Sequence, residues 1–340
     1  MTRIAIVILN WNGKHHLEKF LPSVCKYSAS PGNKIYVVDN GSTDDSVNFV
    51  NHTFPEIELI SFQHNYGFAP GYYMALKQIE AEYFVLLNTD VEVTPDWLLP
   101  LCSAMKVDPE LGACMPKLRD YNQPDRFEYA GAAGCYIDFF GYPFCRGRLL
   151  SSVEKDTGQY DSEKFIFWAS GACMFVRAEA YFRAGGLDVD FFAHMEEIDL
   201  CWRMRRIGYS IKAIPQSIVY HIGGGTLPNN NPHKLYLNYR NNLYLLFKNL
   251  TLAKLIPVLI IRMVLDGLSA MVYLFSGSGG FFLSVFHAHL TFYRHVPRLI
   301  RKRMKMHGSI RHVTIQEIYP RSILFDFFIS KKRAFNQLEW

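Results

Sequence analysis

The chain has 340 residues, 49% of them hydrophobic and 20% charged, with a formal net charge of +5. That length allows one large or two ordinary domains with a sizeable core, and the composition excludes a generally disordered chain. The charge is unevenly divided. Residues 1–199 hold 16 Lys and Arg against 27 Asp and Glu, whereas residues 200–340 hold 20 against 4. An acidic first part suits carboxylate chemistry, and a basic second part suits an anionic partner.

Seven cysteines, at 25, 102, 114, 135, 145, 173 and 201, include no CxxC. That pattern argues against a disulfide framework and a structural zinc site, and predicts reduced core thiols in a cytosolic protein. The opening MTRIAIVILNWNG has an apolar run but no small-residue cleavage site, so it reads as a buried strand and not as a signal peptide.

In chain order, RIAIVILNW is a fully buried strand ending in Asn-Gly. Leu17, Phe20, Leu21 and Val24 have helical spacing between Lys14 and Tyr27. KIYVVDNGSTDDS is a second strand entering a turn, with Ser42 or Thr43 placed to cap the following helix. IELISF is a third strand, GYYMALKQIEA a helix and EYFVLLNTDVEV a fourth strand. This alternation predicts an α/β fold with a Rossmann-like, mostly parallel sheet. Residues 110–170 are rich in Gly and aromatics and predict loops and short strands over the carboxyl edge of the sheet. GACMFVRAEAYFRAGGLD reads as strand then helix, MEEIDLCWRMRRIG as a helix closed by Gly208, and SIKAIPQSIVYHIGGGT as a strand ending in a glycine turn.

From residue 234 the chain is helical in composition, giving an expected division into a catalytic domain, 1–233, and a helical region, 234–340. The window 255–275 is long enough to cross a bilayer but holds Pro257, Arg262 and Asp266. Such charges cost roughly 2.5–3.5 kcal/mol each at a helix centre. An amphipathic helical pair lying in the membrane interface fits better than a span. Residues 296–340 hold ten Lys and Arg against three acids, densest in RLIRKRMK, which suits an anionic leaflet. The alternative is a solvated basic face over a helical homodimer interface.

Three groups of carboxylates follow predicted strands or open a helix. Ligands of open parallel sheets bind beyond the carboxyl ends of the strands. Asp39 in VVDNGS and Asp90 in LLNTDVEV therefore face one cleft, although VDNGS is equally an Asx-turn. Asp90 follows a strand buried on both sides, where a carboxylate is costly unless paired or bound to a metal. Hard oxygen ligands suit Mg²⁺ or Mn²⁺ on phosphates. Glu196, Asp199 and Arg203 share one helical face, and Glu197 falls on another. His194 reads as a polar loop residue, and His221, at a strand end, is placed to complete a metal site with Asp90.

VILNWNG, VVDNGSTDDS, NYGFAPG, LLNTDVEVTPDWL, SGACMFVRAEAYFRAGGLD, EEIDLCWRMRRIGY and HIGGGT occur together and in order over residues 3–247. In that ordered set the chain resembles the family 2, GT-A-type glycosyltransferases, and is similar to the rhamnosyltransferase-like branch of bacterial surface-polysaccharide enzymes. The resemblance implies that Asn10 and Asn12 line the nucleotide pocket, that Asp39 holds the base, and that Gly67 lies under the nucleotide. It makes Asp90 the metal-binding Asp, with Asn88 where the first Asp of the motif would stand, and His221 a metal or diphosphate contact. The acidic pair of the family maps onto Glu196 and Glu197. Glu197 is the expected general base, with Glu196 and Asp199 as the alternatives, and Tyr73 stands where many members have Asn.

The expected activity is an inverting transfer from a nucleotide-diphosphate sugar to a hydroxyl of a glycan or lipid-linked glycan. The expected place is the cytoplasmic side of a bacterial inner membrane, bound peripherally, with no nucleic acid involved. The rival is an inactive sugar-binding or assembly subunit of a membrane glycan complex. A nicotinamide dehydrogenase would need GxGxxG after the first strand, where NWNG stands, and the basic glycine loop of a sugar nucleotidyltransferase is missing.

Overall fold

The computed structural model of the chain describes residues 2–223, 231–307 and 315–340. The first quarter alternates: β1 (Thr2–Asn10), α1 (Lys14–Ser28), β2 (Asn33–Asn40), α2 (Ser46–Thr53), β3 (Glu58–Phe62), α3 (Phe68–Leu76) and β4 (Ala81–Asn88). Ile4 to Ile8 of β1 and Tyr83 to Leu87 of β4 are buried, as expected of parallel strands covered on both faces. Leu17, Phe20, Leu21 and Val24 of α1 form its buried stripe.

β5 (Val91–Val93), α4 (Leu98–Val107) and β6 (Leu111–Asp120) follow. Then come β7 (Cys135–Asp138), β8 (Pro143–Cys145), β9 (Arg148–Leu149), β10 (Ser152–Val153), β11 (Lys164–Phe165) and β12 (Cys173–Arg177). α5 (Ala178–Arg183), α6 (Glu196–Arg206) and β13 (Ser210–His221) complete the sheet region. α7 (Pro232–Asn249), α8 (Leu252–Phe275), α9 (Gly279–His307), β14 (Ile318–Tyr319) and α10 (Ile323–Phe328) end the chain.

The main sheet runs β11–β13–β6–β12–β4–β1–β2–β3, with β5 on β13. It is mixed where a mostly parallel sheet was expected. β1, β2, β3 and β4 pair in parallel, and so do β6 and β13, but β12 runs antiparallel between β4 and β6. The cause is topological. β6 ends at the carboxyl edge, and after the excursion the chain re-enters beside the end of β4, where Cys173 faces Leu87, so β12 must run back down. No crossover returns the chain to the other edge, as a parallel strand would need.

Other expectations are corrected. EYFVLLNTDVEV is two strands, because the chain turns at Thr89–Asp90 and β5 then pairs antiparallel with β13. Residues 110–170 contain a full sheet strand, β6, and four strands of a second sheet, β10–β9–β8–β7, to which β14 adds from the far end of the chain. The helix expected at GYYMALKQIEA starts earlier, at Phe68 behind Gly67. Neither Ser42 nor Thr43 caps α2, whose N-cap is Asp45. The glycine turn after His221 falls largely outside the described residues.

The chain division expected at 233 falls inside the first turn of α7, a helix that joins both parts. α7 packs on α6, α8 and α9. Part of the basic tail is turned inward, with Arg298 paired to Asp190 and Lys302 to Asp188 and Asp190. The last residues close over the second sheet, where Trp340 packs against Tyr136 and Tyr319.

Candidate functional site

The cleft is built at the carboxyl ends of β1, β2 and β4. Asn10 is buried, and its Nδ2 donates to Asp39 Oδ1 at 3.4 Å and to Ser42 Oγ at 3.2 Å. Ser42 N donates to Asp39 Oδ2 at 3.1 Å, and Ser42 Oγ accepts from Asn12 N at 2.9 Å. Asn12 has φ 51°, and its Oδ1 accepts from the backbone of Thr43 at 2.7 Å and of Asp44 at 3.2 Å. Asn10, Asn12 and Asp39 therefore tie the loop after β1 to the loop after β2. Ser42, expected as a helix cap, is the pivot between them.

Gly67 forms the far side. Asn40 Nδ2 donates to Asn65 Oδ1 at 3.1 Å and to the Gly67 carbonyl at 3.0 Å. Gly67 has φ 92°, and a Cβ there would lie 2.4 Å from the Phe192 ring, so both conformation and packing require glycine.

At the end of β4, Asp90 Oδ1 lies 3.1 Å from His221 Nε2. His221 Nδ1 lies 3.3 Å from Glu128 Oε1, without the alignment of a hydrogen bond. Asn88 Nδ2 lies 3.4 Å from His221 Nε2. Burial alone would lower the imidazole, but Glu128 and Asp90 push it up to about 10. Burial likewise opposes the Asp90 charge, yet His221 holds that carboxyl below its usual range. Among the described residues, no three His, Cys, Asp or Glu side chains are grouped to hold a metal ion by themselves. Asp90 and His221 fit a divalent cation that displaces the proton held on the imidazole and takes its other ligands from a phosphate.

The acidic pair sits beyond a tight turn. Asn88 N donates to the Ala172 carbonyl at 3.0 Å, and a Cβ on Gly171 would lie 3.9 Å from the Glu197 Cβ. The turn 170–172 thus connects the end of β4 to the start of α6. Glu196 is buried and Glu197 half-buried, and Oε2 of each has no hydrogen-bond partner. Burial pushes the Glu197 carboxyl up to about 7, against the backbone N–H groups of Glu197 and Ile198. Burial, with Glu197 beside it, raises Glu196 well above the carboxylate range.

Asp199 is placed differently. It accepts from Arg203 Nε at 2.8 Å, from Lys248 Nζ at 2.8 Å and from Asn249 Nδ2 at 2.8 Å. Burial opposes its charge, but Arg203 and Lys248 override that and hold the carboxyl low. Its oxygens are occupied in tying α6 to α7, while those of Glu197 are not. Tyr73 lies on α3, under Lys77, whose Nζ is 4.3 Å from the ring centroid.

The segment before α6 is bent against its preference. Phe192, His194 and Met195 all have positive φ, at 64°, 71° and 71°. Such residues cost about 1–3 kcal/mol each and persist only where the surroundings over-determine them. Asn241 of α7 does so here, its Nδ2 lying 2.9, 2.8 and 2.7 Å from the carbonyl oxygens of Phe191, Ala193 and His194. Arg240 Nη2 adds 2.8 Å to the Phe191 carbonyl. Burial pushes the His194 imidazole down to about 4. Asn241, Lys248 and Glu128 were missed in the sequence. The one available signal was a polar RNN and KN inside an otherwise apolar helix.

The glycosyl transferase family 2 model matches residues 5–180. The chain is 26% identical over 236 residues to the N-acetylglucosaminyl-diphospho-decaprenol L-rhamnosyltransferase of Mycobacterium tuberculosis, covering 64% of this chain and 75% of that one. It is 22% identical over 224 residues to the rhamnosyltransferase WbbL of Escherichia coli, covering 64% and 83%. Among solved structures, it resembles the mannosyltransferase PcManGT of Pyrobaculum calidifontis in complex with GDP-Man and Mn²⁺, with TM-score 0.52, 14% identity and coverage of 86% and 87%. GalNAc-T7 with UDP, GalNAc and Mn²⁺ has TM-score 0.58 at 14% identity, over 73% of this chain and 48% of that one. These structural likenesses show the fold. The chain belongs to glycosyl transferase family 2, with an α/β body of GT-A type and a rhamnosyltransferase-like sequence.

Proposed function

We propose that the protein is an inverting glycosyltransferase that moves a sugar from a nucleotide diphosphate to a hydroxyl of a lipid-linked glycan during cell-surface polysaccharide synthesis. The observation that carries this reading is Glu197, a half-buried carboxylate with an unpartnered oxygen, pushed up to about 7 and set across the 170–172 turn from the end of β4. A group of that affinity is matched to taking a proton at neutral pH. In the step, Glu197 takes the proton of the acceptor hydroxyl as that oxygen bonds to the anomeric carbon. The bond from that carbon to the diphosphate breaks, and the electron pair leaves with the diphosphate. Attack from the face opposite the leaving group inverts the anomeric centre.

Asn10, Asn12 and Asp39 are assigned to the nucleoside, and Gly67 to the floor beneath it. Asp90 and His221 would hold Mg²⁺ or Mn²⁺, whose chemistry when bound is neutralisation of the diphosphate charge. Asp199 is assigned to positioning. The M. tuberculosis relative carries diphospho-decaprenol in its name. That supports a lipid-linked acceptor and peripheral placement at the cytoplasmic side of a bacterial inner membrane.

Glu197→Gln is expected to abolish sugar transfer while calorimetry still registers binding of the nucleotide sugar. Wild-type turnover in that variant would remove Glu197 as the base. Asn88, an amide where a second acid would ligate, favours the rival reading of an inactive sugar-binding subunit. Metal-dependent hydrolysis of a panel of nucleotide sugars by the wild-type chain separates the two, because a scaffold gives none.

A further inference from the structure

The charges that argued against a membrane at residues 255–275 are turned toward the protein. Arg262 Nε donates to Asp266 Oδ1 at 2.9 Å, and the guanidinium lies 3.7 Å from the Tyr142 ring centroid. Asp266 Oδ2 also lies 3.2 Å from His289 Nε2 of α9. Leu255, Val258, Arg262, Asp266 and Ala270 form one buried face, and Ser269 joins Tyr239 of α7 at 2.6 Å. α8 is thus seated on the body along almost its whole length.

The opposite half of α8 is bare. Leu252, Ile256, Ile260, Val264, Leu268 and Val272 are all exposed, Ile260 at 58% and Leu268 at 60%. Among the residues of α8, the exposed half carries a single charge, Lys254, in the first turn. From Leu252 to Val272 the stripe is about 30 Å long at 1.5 Å per residue. On α9, exposed Leu283, Phe286, Tyr293, Ile300 and Met304 form a second apolar strip. Arg294, Arg301 and Lys305 are exposed one position after the last three of these, which places them along its edge. Across residues 252–307 there is one acid, Asp266, against eight Lys and Arg.

We infer that the outer faces of α8 and α9 are embedded in one leaflet of an anionic lipid bilayer, with α8 lying in the membrane plane and not across it. A lone spanning helix would meet lipid on every side, whereas α8 keeps one face on Tyr142 and Tyr239 of the body and on α9. A helix with a protein-bound polar face and a lipid-sized apolar face lies flat. Arg294, Arg301 and Lys305 then stand at headgroup level, each contributing electrostatic attraction to anionic lipid. This deepens the proposed function, since a lipid-linked acceptor would be met in the leaflet where the enzyme already rests.

The test uses the full chain and vesicles of phosphatidylcholine with and without phosphatidylglycerol. Co-sedimentation is expected with the mixed vesicles and expected to weaken with salt. Ile260→Glu with Leu268→Glu is expected to reduce partitioning about tenfold or more, because each change removes a side chain worth over 1 kcal/mol in the apolar phase. Hydrolysis of the nucleotide sugar in detergent should be unchanged in that variant. In Val264→Trp, the fluorescence added over the wild-type chain should be quenched by brominated lipid. Added fluorescence that bromine leaves unquenched, vesicle binding indifferent to the two glutamates, or a stable solution dimer that buries this stripe would each overturn the inference. Vesicle binding without donor turnover would instead count against the proposed activity and leave the membrane seat standing.

Discussion

Glu197 has two neighbours that a first glance would treat as equals, and each has a different environment. Asp199 is charged and fully engaged, Glu196 is buried and raised well above the carboxylate range, and Glu197 combines an unpartnered carboxyl oxygen with a proton affinity near neutrality. A base works only when deprotonated. The transfer rate at low substrate is therefore expected to rise with pH through about 7 and level off above it. A pH profile of kcat/KM checks this, and a profile flat across that range would exclude Glu197 as the titrating group. The same shift has a cost in stability. The folded chain holds this proton more tightly than the unfolded chain, so the group disfavours the fold as pH rises from 4.5 to about 7. Asp39 and Asp90 were legible in the sequence because each follows a predicted strand, whereas Asn10 and Glu197 were singled out through the family resemblance. Ser42 was legible as a polar turn residue but not as the link between two loops, since that requires knowing that β1 and β2 are neighbours.

At the scale of elements, α6 is aimed by α7. Asn241 holds three carbonyls of a segment that contains three left-handed residues, and this segment sets the start of the helix bearing Glu197. Asn241→Ala removes the side-chain donor of the Ala193 and His194 carbonyls, while the Phe191 carbonyl keeps Arg240, with an expected loss of about 1–3 kcal/mol in stability. Its signature in kinetics is a fall in kcat larger than any rise in KM for the donor, because the nucleoside loops of β1 and β2 do not touch it. Equal effects on both constants would make Asn241 a general stabiliser only. Nothing in the local sequence announced this role. A polar residue within a helix reads as a solvated position until its partners, some fifty residues earlier in the chain, are known.

At the scale of the whole molecule, the division of charge between the two parts of the chain is partly an internal attraction. Lys248, Arg298 and Lys302 from the basic part meet Asp188, Asp190 and Asp199 from the acidic part. Composition alone pointed that basic charge toward an anionic partner or solvent, and not toward the acidic part of the same chain. Asp188 and Asp199 both titrate below the usual carboxylate value of 3.8, despite burial, because lysines and Arg203 face them. A depressed carboxyl contributes stability above its unfolded value and loses it as pH falls. Thermal melts are expected to shift downward as pH drops through the carboxylate range. Lys248→Met should lower stability at neutral pH by about 3–5 kcal/mol by leaving buried carboxylates uncompensated, and should make the acid dependence shallower. A melting temperature unaffected by that change would mean the cluster is dispensable. The alternating α/β start was legible because its periodicity is strong. The strand at β12 was legible too, but not its direction, which is fixed by where the chain re-enters the sheet; the second sheet was not, because its strands are short.

The bond from Asn241 to the 191–194 segment also has a consequence in time. During synthesis the loops after β1 and β2, tied to each other through Asn10, Asn12 and Ser42, can settle as soon as that part of the chain has emerged. The segment that aims Glu197 must wait for a helix about fifty residues further on, and that closure is the slower kind of contact to form. The molecule therefore learns to hold its donor before it learns to use it. In refolding, recovery of nucleotide-sugar binding should precede recovery of turnover, and the lag should lengthen when Asn241 is replaced.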